Sequence, residues 1–335
     1  MKKFQPLRLV SFVSIAIMVL LMVNCGNSEQ ELIVSSLDSP SDTAQPVPWT
    51  GPSSHQIPVY ARENGKDIYY GYELIARTSY FLGPKGKVRQ ISNGMNCQNC
   101  HLDAGTKPFG NNYGAVASTY PKFRERSGTV ETIVKRVNDC FERSLNGKAL
   151  DSSSREMQAI VAYIHWLGEK IPKGEKPHGS GIMELAYPNK AADLQSGRTV
   201  FINKCVSCHG QDGQGLPKAD GSGYDYPPLW GPHSYNIGAG LFRLSRFAGY
   251  VYNNMPNTVN WHHPDLSEEQ AWNVAAFVNS QPRPGKDLSK DWPKVTGKPV
   301  DHPFGPYADT FPEIQHKYGP YGPIAAWKKE NAKKK

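Results

Sequence analysis

Cys97-Gln98-Asn99-Cys100-His101 and Cys205-Val206-Ser207-Cys208-His209 decide how this chain is read. Each has the pattern of a covalent c-type haem site. Two thiols at this spacing reach two vinyl groups on one edge of a porphyrin. The histidine that follows lands beneath the iron as its proximal ligand. A Cys-x-x-Cys by itself fits zinc, a redox disulfide or haem. The added histidine, present twice, selects haem over two half-sites of a structural zinc ribbon. The sequence therefore predicts two covalently bound haem c groups. Cys97 and Cys100 hold one, Cys205 and Cys208 the other, with His101 and His209 on the irons.

Toward the N-terminus, Met1-Lys2-Lys3 and Arg8 make a basic start, and Leu9 to Val23 is an uncharged, mostly apolar run. That is signal-peptide length and short for a membrane span. Export is what c-type haem attachment requires, so the two signals agree. The run ends at Leu21-Met22-Val23-Asn24-Cys25 and continues into Gly26-Asn27-Ser28, like a bacterial lipoprotein signal. Asn24 departs from the small residue usual there, which leaves ordinary cleavage nearby or an uncleaved anchor as alternatives. The expectation is a periplasmic protein, anchored to the membrane through lipid on Cys25. Residues 26–59, rich in Ser, Pro, Asp and Gln, read as a flexible tether.

A first domain is expected over 60–168, a linker over 169–184, a second domain over 185–284 and a wrapping basic tail over 285–335. The two domains form a weak internal repeat. In the first, Ile68, Tyr72, Ile75 and Leu82 recur at helical spacing, with the small Ser79 in the same stripe, and Gly83-Pro84 stops the run. A helix over Thr129 to Leu145 is closed by Asn146-Gly147. The last helix opens at Ser153 with Glu156 three residues on, a capping-box pattern. In the second, Leu194, Gly197 and Phe201 lead into the motif, and Ser267 with Gln270 caps the final helix. Gly197 is the place where first and last helices cross closely. The fold class is mostly α: two tandem cytochrome c-type haem domains with long loops and an extended C-terminal tail. The tail is expected to be loop, with little secondary structure. Net charge is +8, part of it in Lys328, Lys329, Lys333, Lys334 and Lys335, which read as a solvated end. The rest suits anionic substrates or acidic redox partners. No nucleic-acid motif is present, and no nucleic-acid partner is expected.

For the sixth ligand of the second haem, Met255 in Asn253-Asn254-Met255-Pro256 leads. It is the only methionine after His209, and a thioether suits haem iron. His233, His262, His263 and Lys218 compete. In the first domain the candidates are Cys140, Met157 and His165. Arg136, Cys140 and Ser144 are spaced by four and share one helix face, and Arg126 lies just before that helix. A cation beside a thiol favours the thiolate, and arginine presents a planar fork to oxyanions. Met157 and His165, on the last helix, read as core or surface.

This constellation resembles the dihaem thiosulfate dehydrogenases. The resemblance runs from about Tyr70 to Pro284, with both haem domains in family order. It is carried by Gly94 to Gly105 around the first motif, by Cys140 to Lys148, by Pro228-Leu229-Trp230-Gly231, and by Ala271 to Phe277. It implies that haem 1 is ligated by His101 and Cys140 and haem 2 by His209 and Met255. It also implies that Arg126, Arg136 and Ser144 are active-site residues beside Cys140. The implied reaction couples two thiosulfates to tetrathionate, reversibly in some members, with electrons leaving through haem 2 to a soluble cytochrome c or similar acceptor. Some members carry a lysine beside the methionine that can ligate haem 2. Asn254 stands there, which argues against a lysine–methionine exchange. Two rival classes remain at this point: a non-catalytic dihaem electron carrier, and a Sox-type sulfur-transfer cytochrome.

Overall fold

The computed structural model describes residues 48–332 apart from Ser54 and Asn64, and Cys25 and Lys333 to Lys335 lie outside that range. The described chain is helical with two short hairpins, β1–β2 and β3–β4. In the first half, α1 (Ile57–Glu63), α2 (Lys66–Ala76) and α3 (Thr78–Leu82) precede the haem motif. Then follow β1 (Lys122–Arg124), β2 (Thr129–Glu131), α4 (Ile133–Arg143) and α5 (Arg155–Gly168). The second half has α6 (Leu194–Lys204), β3 (Leu216–Pro217), β4 (Tyr224–Tyr226), α7 (Leu244–Asn254) and α8 (Glu268–Ser280). The tail adds α9 (Glu313–Tyr318) and α10 (Gly322–Ala332).

The internal repeat is visible in the way each half crosses its helices. α2 packs on α5, and α6 on α8. At both crossings a glycine lets the backbones touch. A Cβ on Gly71 would lie 2.0 Å from the Ala159 carbonyl oxygen, and one on Gly197 would lie 2.0 Å from that of Asn273. Either clash would force the helices apart, because real contacts are never so short. Gly197 is where the sequence placed it; Gly71 is its counterpart and was hidden among aromatics. Each crossing seals a core. Leu74, Phe141, Met157, Ile160 and Tyr163 fill the first, and Phe201, Phe247, Trp272 and Ala275 the second. Met157 is fully buried and His165 exposed, in keeping with their reading as core and surface.

Several local expectations change. Thr129 to Glu131 is strand, not the start of a helix. It pairs antiparallel with β1, Lys122 opposite Glu131. The β-branched Thr129 and Val130 follow Gly128, whose φ of +66° closes the turn. α4 begins only after Thr132, whose hydroxyl caps it by accepting from Lys135 N. The cap of α5 is Ser154, accepting from Met157 N; Ser153 turns back to Asp151 instead. The α2 stripe breaks at Arg77, so Ser79 and Leu82 belong to α3. Ser267 and Gln270 do form a capping box on α8.

The tail is not all loop. Tyr321 and Ile324, at the start of α10, are fully buried in the second core, with Tyr321 5.8 Å from Trp272 and 5.4 Å from Tyr187 between ring centres. The linker is likewise pinned. Gly179 and Gly181 accept hydrogen bonds from Phe109 N and Asn111 N, and Leu185 enters the second core.

Candidate functional site

The first motif is set by its neighbours in sequence. Thr78 Oγ1 accepts from Cys97 N at 2.9 Å. Asn96 and Asn99 cap the turn reciprocally, and Asn96 Oδ1 also accepts from Ser79 N. These bonds fix Cys97 and Cys100 ahead of His101. The histidine ring stacks on Tyr113 with centres 4.5 Å apart, and its Nδ1 lies 2.6 Å from the Asn111 carbonyl. A carbonyl only accepts, so Nδ1 carries the proton and Nε2 is left with a free lone pair. Burial pulls the His101 pKa down to about 4, so the ring is neutral, as an iron ligand must be. The second motif repeats the arrangement. His209 Nδ1 lies 2.9 Å from the Pro227 carbonyl, and burial again lowers its pKa. Among the described residues the four motif cysteines form no disulfide, which leaves each sulfur for a porphyrin vinyl group. Burial pushes Cys97 and Cys100 up to about 12, with the nearby Cys140 adding to both. Cys140 therefore borders the same buried space as the first motif. Among the described residues no three His, Cys, Asp or Glu side chains converge as metal ligands. The donor set fits two haems, each with paired thiols and one neutral imidazole, and does not fit zinc.

Met255 ends α7, its N–H donating to Val251 O, and its side chain packs against the second core. It precedes α8, as the sequence required.

Around Cys140 the structure gathers arginines. Arg136 Nη1 donates to Cys140 Sγ at 3.3 Å, one helical turn away on α4. The negative charge available on Cys140 raises the Arg136 pKa above its ordinary value, against the cost of burial. Ser144 caps the same helix one turn beyond Cys140. Arg126 sits on the turn between β1 and β2. Burial, then Arg143 and Arg136, depress its pKa to about 10. It stays charged at neutral pH. Its Nη1 donates to Gly238 O at 3.1 Å, and among the described residues no carboxylate pairs with it directly. The nearby acid, Asp291, is taken by Arg143 in a two-pronged pair at 2.8 Å on each side. A buried cation crowded by cations is stabilised by an anion that enters. Arg136 and Cys140 are in contact, Arg126 lies close enough to Arg136 to feel its charge, and Ser144 ends the same helix.

The sequence reading missed what closes this region. Asp291 and Trp292 come from the tail. Trp292 N donates to Arg126 O at 2.7 Å, and the Arg126 guanidinium lies 5.9 Å from the Trp292 ring centre. Trp292 holds φ +60°, unusual for so bulky a residue. Gly128, in the same turn as Arg126, lies against Pro293. A strap over residues 291–297 therefore clamps the arginine turn. Its signal in sequence is no more than Asp291-Trp292-Pro293 in a run without periodicity.

Comparison with known proteins adds the family. Residues 87–172 match the SoxA/TsdA cytochrome c domain, and residues 192–278 match cytochrome c oxidase, cbb3-type, subunit III. Thiosulfate dehydrogenase of Allochromatium vinosum is 38% identical over 198 residues, 58% of this chain and 72% of that protein. The chain belongs to the thiosulfate dehydrogenase family. It carries two cytochrome c domains with two covalently bound haem c groups. The Psychrobacter arcticus relative is 38% identical over 207 residues, 61% of each chain, so the match spans about three fifths of that protein. Among solved structures, a thiosulfate dehydrogenase (TsdBA) from Marichromatium purpuratum superposes with a TM-score of 0.62 at 31% identity, covering 71% of this chain and 50% of that one.

Proposed function

We propose that the protein oxidises two thiosulfate ions to one tetrathionate, releasing two electrons, and that Cys140 is the reacting group. The observation that carries this reading is the Arg136–Cys140 contact at 3.3 Å beside an Arg126 with no direct carboxylate partner among the described residues. In this reading Cys97 and Cys100 would hold haem 1, with His101 and Cys140 offered to its iron. Cys205 and Cys208 would hold haem 2, with His209 and Met255. Each haem supplies a one-electron couple, so the pair matches the two electrons released.

Arg136 donates to Cys140 Sγ and so points a cation at the reacting sulfur. Arg126 and Arg136 bind the sulfonate end of a thiosulfate, and Ser144 offers a hydroxyl beside them. Cys140 Sγ then joins the outer sulfur of that thiosulfate, giving Cys–S–S–SO₃⁻ with loss of two electrons. The outer sulfur of a second thiosulfate attacks the bound one. A sulfur–sulfur bond forms, the bond to Sγ breaks, and tetrathionate leaves with the thiolate restored. The same steps run backwards as tetrathionate reduction. Electrons pass from the first domain to the second and on to a soluble cytochrome c or similar acceptor. The protein acts in the periplasm, held to the membrane by lipid on Cys25; an intact mass starting elsewhere than a lipid-bearing Cys25 would refute that anchor.

Cys140→Ala tests the chemistry. It leaves both haem attachment sites intact, so the dihaem spectrum should persist. Turnover of thiosulfate to tetrathionate should vanish, together with the low-spin thiolate signal in low-temperature electron paramagnetic resonance. Near-normal turnover in a folded Cys140→Ala protein would refute Cys140 as the reacting group, and no turnover in the unaltered dihaem protein would place the chain among non-catalytic electron carriers.

A further inference from the structure

The two halves meet at the loop that follows the first haem motif. This loop, residues 107–113, holds His101 through the Asn111 carbonyl at 2.6 Å. It is itself held by the segment that carries Met255. Asn254 Nδ2 donates to Phe109 O at 3.2 Å, Lys107 Nζ donates to Val259 O at 3.3 Å, and the Phe109 and Trp261 rings meet edge to face at 5.3 Å. Asn254 is fully buried, and its second amide hydrogen goes to Tyr250 O at 2.9 Å. Phe109 and Asn111 both sit at positive φ, +54° and +59°. Asparagine adopts that conformation readily, but the bulky Phe109 holds it only where its surroundings impose it.

We propose that Asn254 is a positioning residue that couples the two haem sites, holding the loop that sets the His101 hydrogen bond of haem 1. This rests on His101 and Met255 as iron ligands. The physical basis is the effect of a proximal histidine's outer hydrogen bond. A strong Nδ1–H···O=C bond makes the imidazole a better donor to iron and favours the oxidised state. The Asn111 carbonyl makes a short bond because its loop is fixed between Asn254 and Trp261 on one side and Gly179 and Gly181 on the other. Freeing the Asn254 side lets that bond lengthen. The haem 1 potential then rises, although the altered residue lies in the second domain. By reciprocity, a change at the loop is felt at the Met255 segment.

The test is a redox titration of the full dihaem protein, with haem 1 followed by its thiolate-ligated resonance signal and haem 2 by its optical spectrum. In Asn254→Ala the haem 1 midpoint should move upward, changing its reduced-to-oxidised ratio at fixed potential by at least roughly threefold, about 30 mV for one electron. Lys107→Met perturbs the same contact from the partly exposed side and should shift haem 1 in the same direction by less. It serves if Asn254→Ala fails to fold. Haem 2 should keep its thioether-ligated spectrum in both. A haem 1 midpoint equal to that of the unaltered protein in the folded variants overturns the coupling. If the unaltered protein lacks the thiolate signal, the ligand assignment fails instead, so the two failures are distinguishable.

Discussion

Removing the Arg126 side chain separates a substrate clamp from a structural residue. Among the described residues its guanidinium makes one hydrogen bond, to Gly238 O, and meets the Trp292 ring. Losing that bond costs about 1 kcal/mol, and part is returned because Arg143 and Arg136 no longer repel a buried neighbour. Arg126→Ala should therefore lower the melting temperature by no more than about 2–4 °C. Catalysis should suffer more. A charge-assisted contact to a dianion is worth roughly 1.5–3 kcal/mol. At about 1.4 kcal/mol per decade, kcat/KM for thiosulfate falls by roughly one to two decades. The assay is steady-state thiosulfate oxidation with ferricyanide as acceptor and tetrathionate quantified, alongside resonance spectra of the oxidised protein. The thiolate signal should persist, because Arg136, not Arg126, contacts Cys140 Sγ. The charge on Arg126 is present below its folded pKa of about 10 and is lost as pH rises through that value. Its contribution to kcat/KM should thus be flat from neutral pH to about 9. Unchanged kcat/KM in a folded Arg126→Ala protein would refute the anion-clamp reasoning.

Met255→Gly should lower the haem 2 potential, since a thioether favours ferrous iron, and slow electron delivery while the haem 1 spectrum stays intact; a titration with both haems unmoved would assign the ligand to a histidine or to Lys218. Gly197→Ala should destabilise the second domain by roughly 1–3 kcal/mol through overpacking, read as an earlier denaturant midpoint, and an unchanged midpoint would show that the crossing can relax. Asp291→Asn removes the acid from a pair with both partners about nine-tenths buried and leaves Arg143 uncompensated. It should cost roughly 3–5 kcal/mol of local stability, seen as faster amide exchange over 291–297, and equal exchange in both proteins would dismiss the strap as a clamp.

The haem sites were legible because covalent attachment fixes spacing in the chain itself: Cys97, Cys100 and His101 are neighbours before anything folds. The α4 cluster was legible for a similar reason. Arg136, Cys140 and Ser144 are four apart, so one helix face gathers them without help from the rest of the fold. The start of that helix was not, because the β-branched Thr129 and Val130 favour strand and pair with β1, leaving Thr132 to cap the helix. Ser153 and Ser154 offer the same cap chemistry one residue apart, and only the bond from Ser153 to Asp151 decides between them. Asp291, Trp292 and the Asn254–Phe109 contact were invisible. They join segments more than a hundred residues apart, and no local pattern reports such a meeting.

The strap gives the anion site a place in time. The pair between Arg143 and Asp291 spans 148 positions, and closures of that length come late in folding because their entropy is lost before their contacts are gained. Asp291 and Trp292 also follow both haem motifs along the chain. Cys97 and Cys100 are thus available for attachment while the arginine turn still has no cover. An exported chain that has not yet folded can present Cys97 and Cys100 for haem attachment before Asp291 and Trp292 close over the arginine turn, and the proposed anion site is completed last.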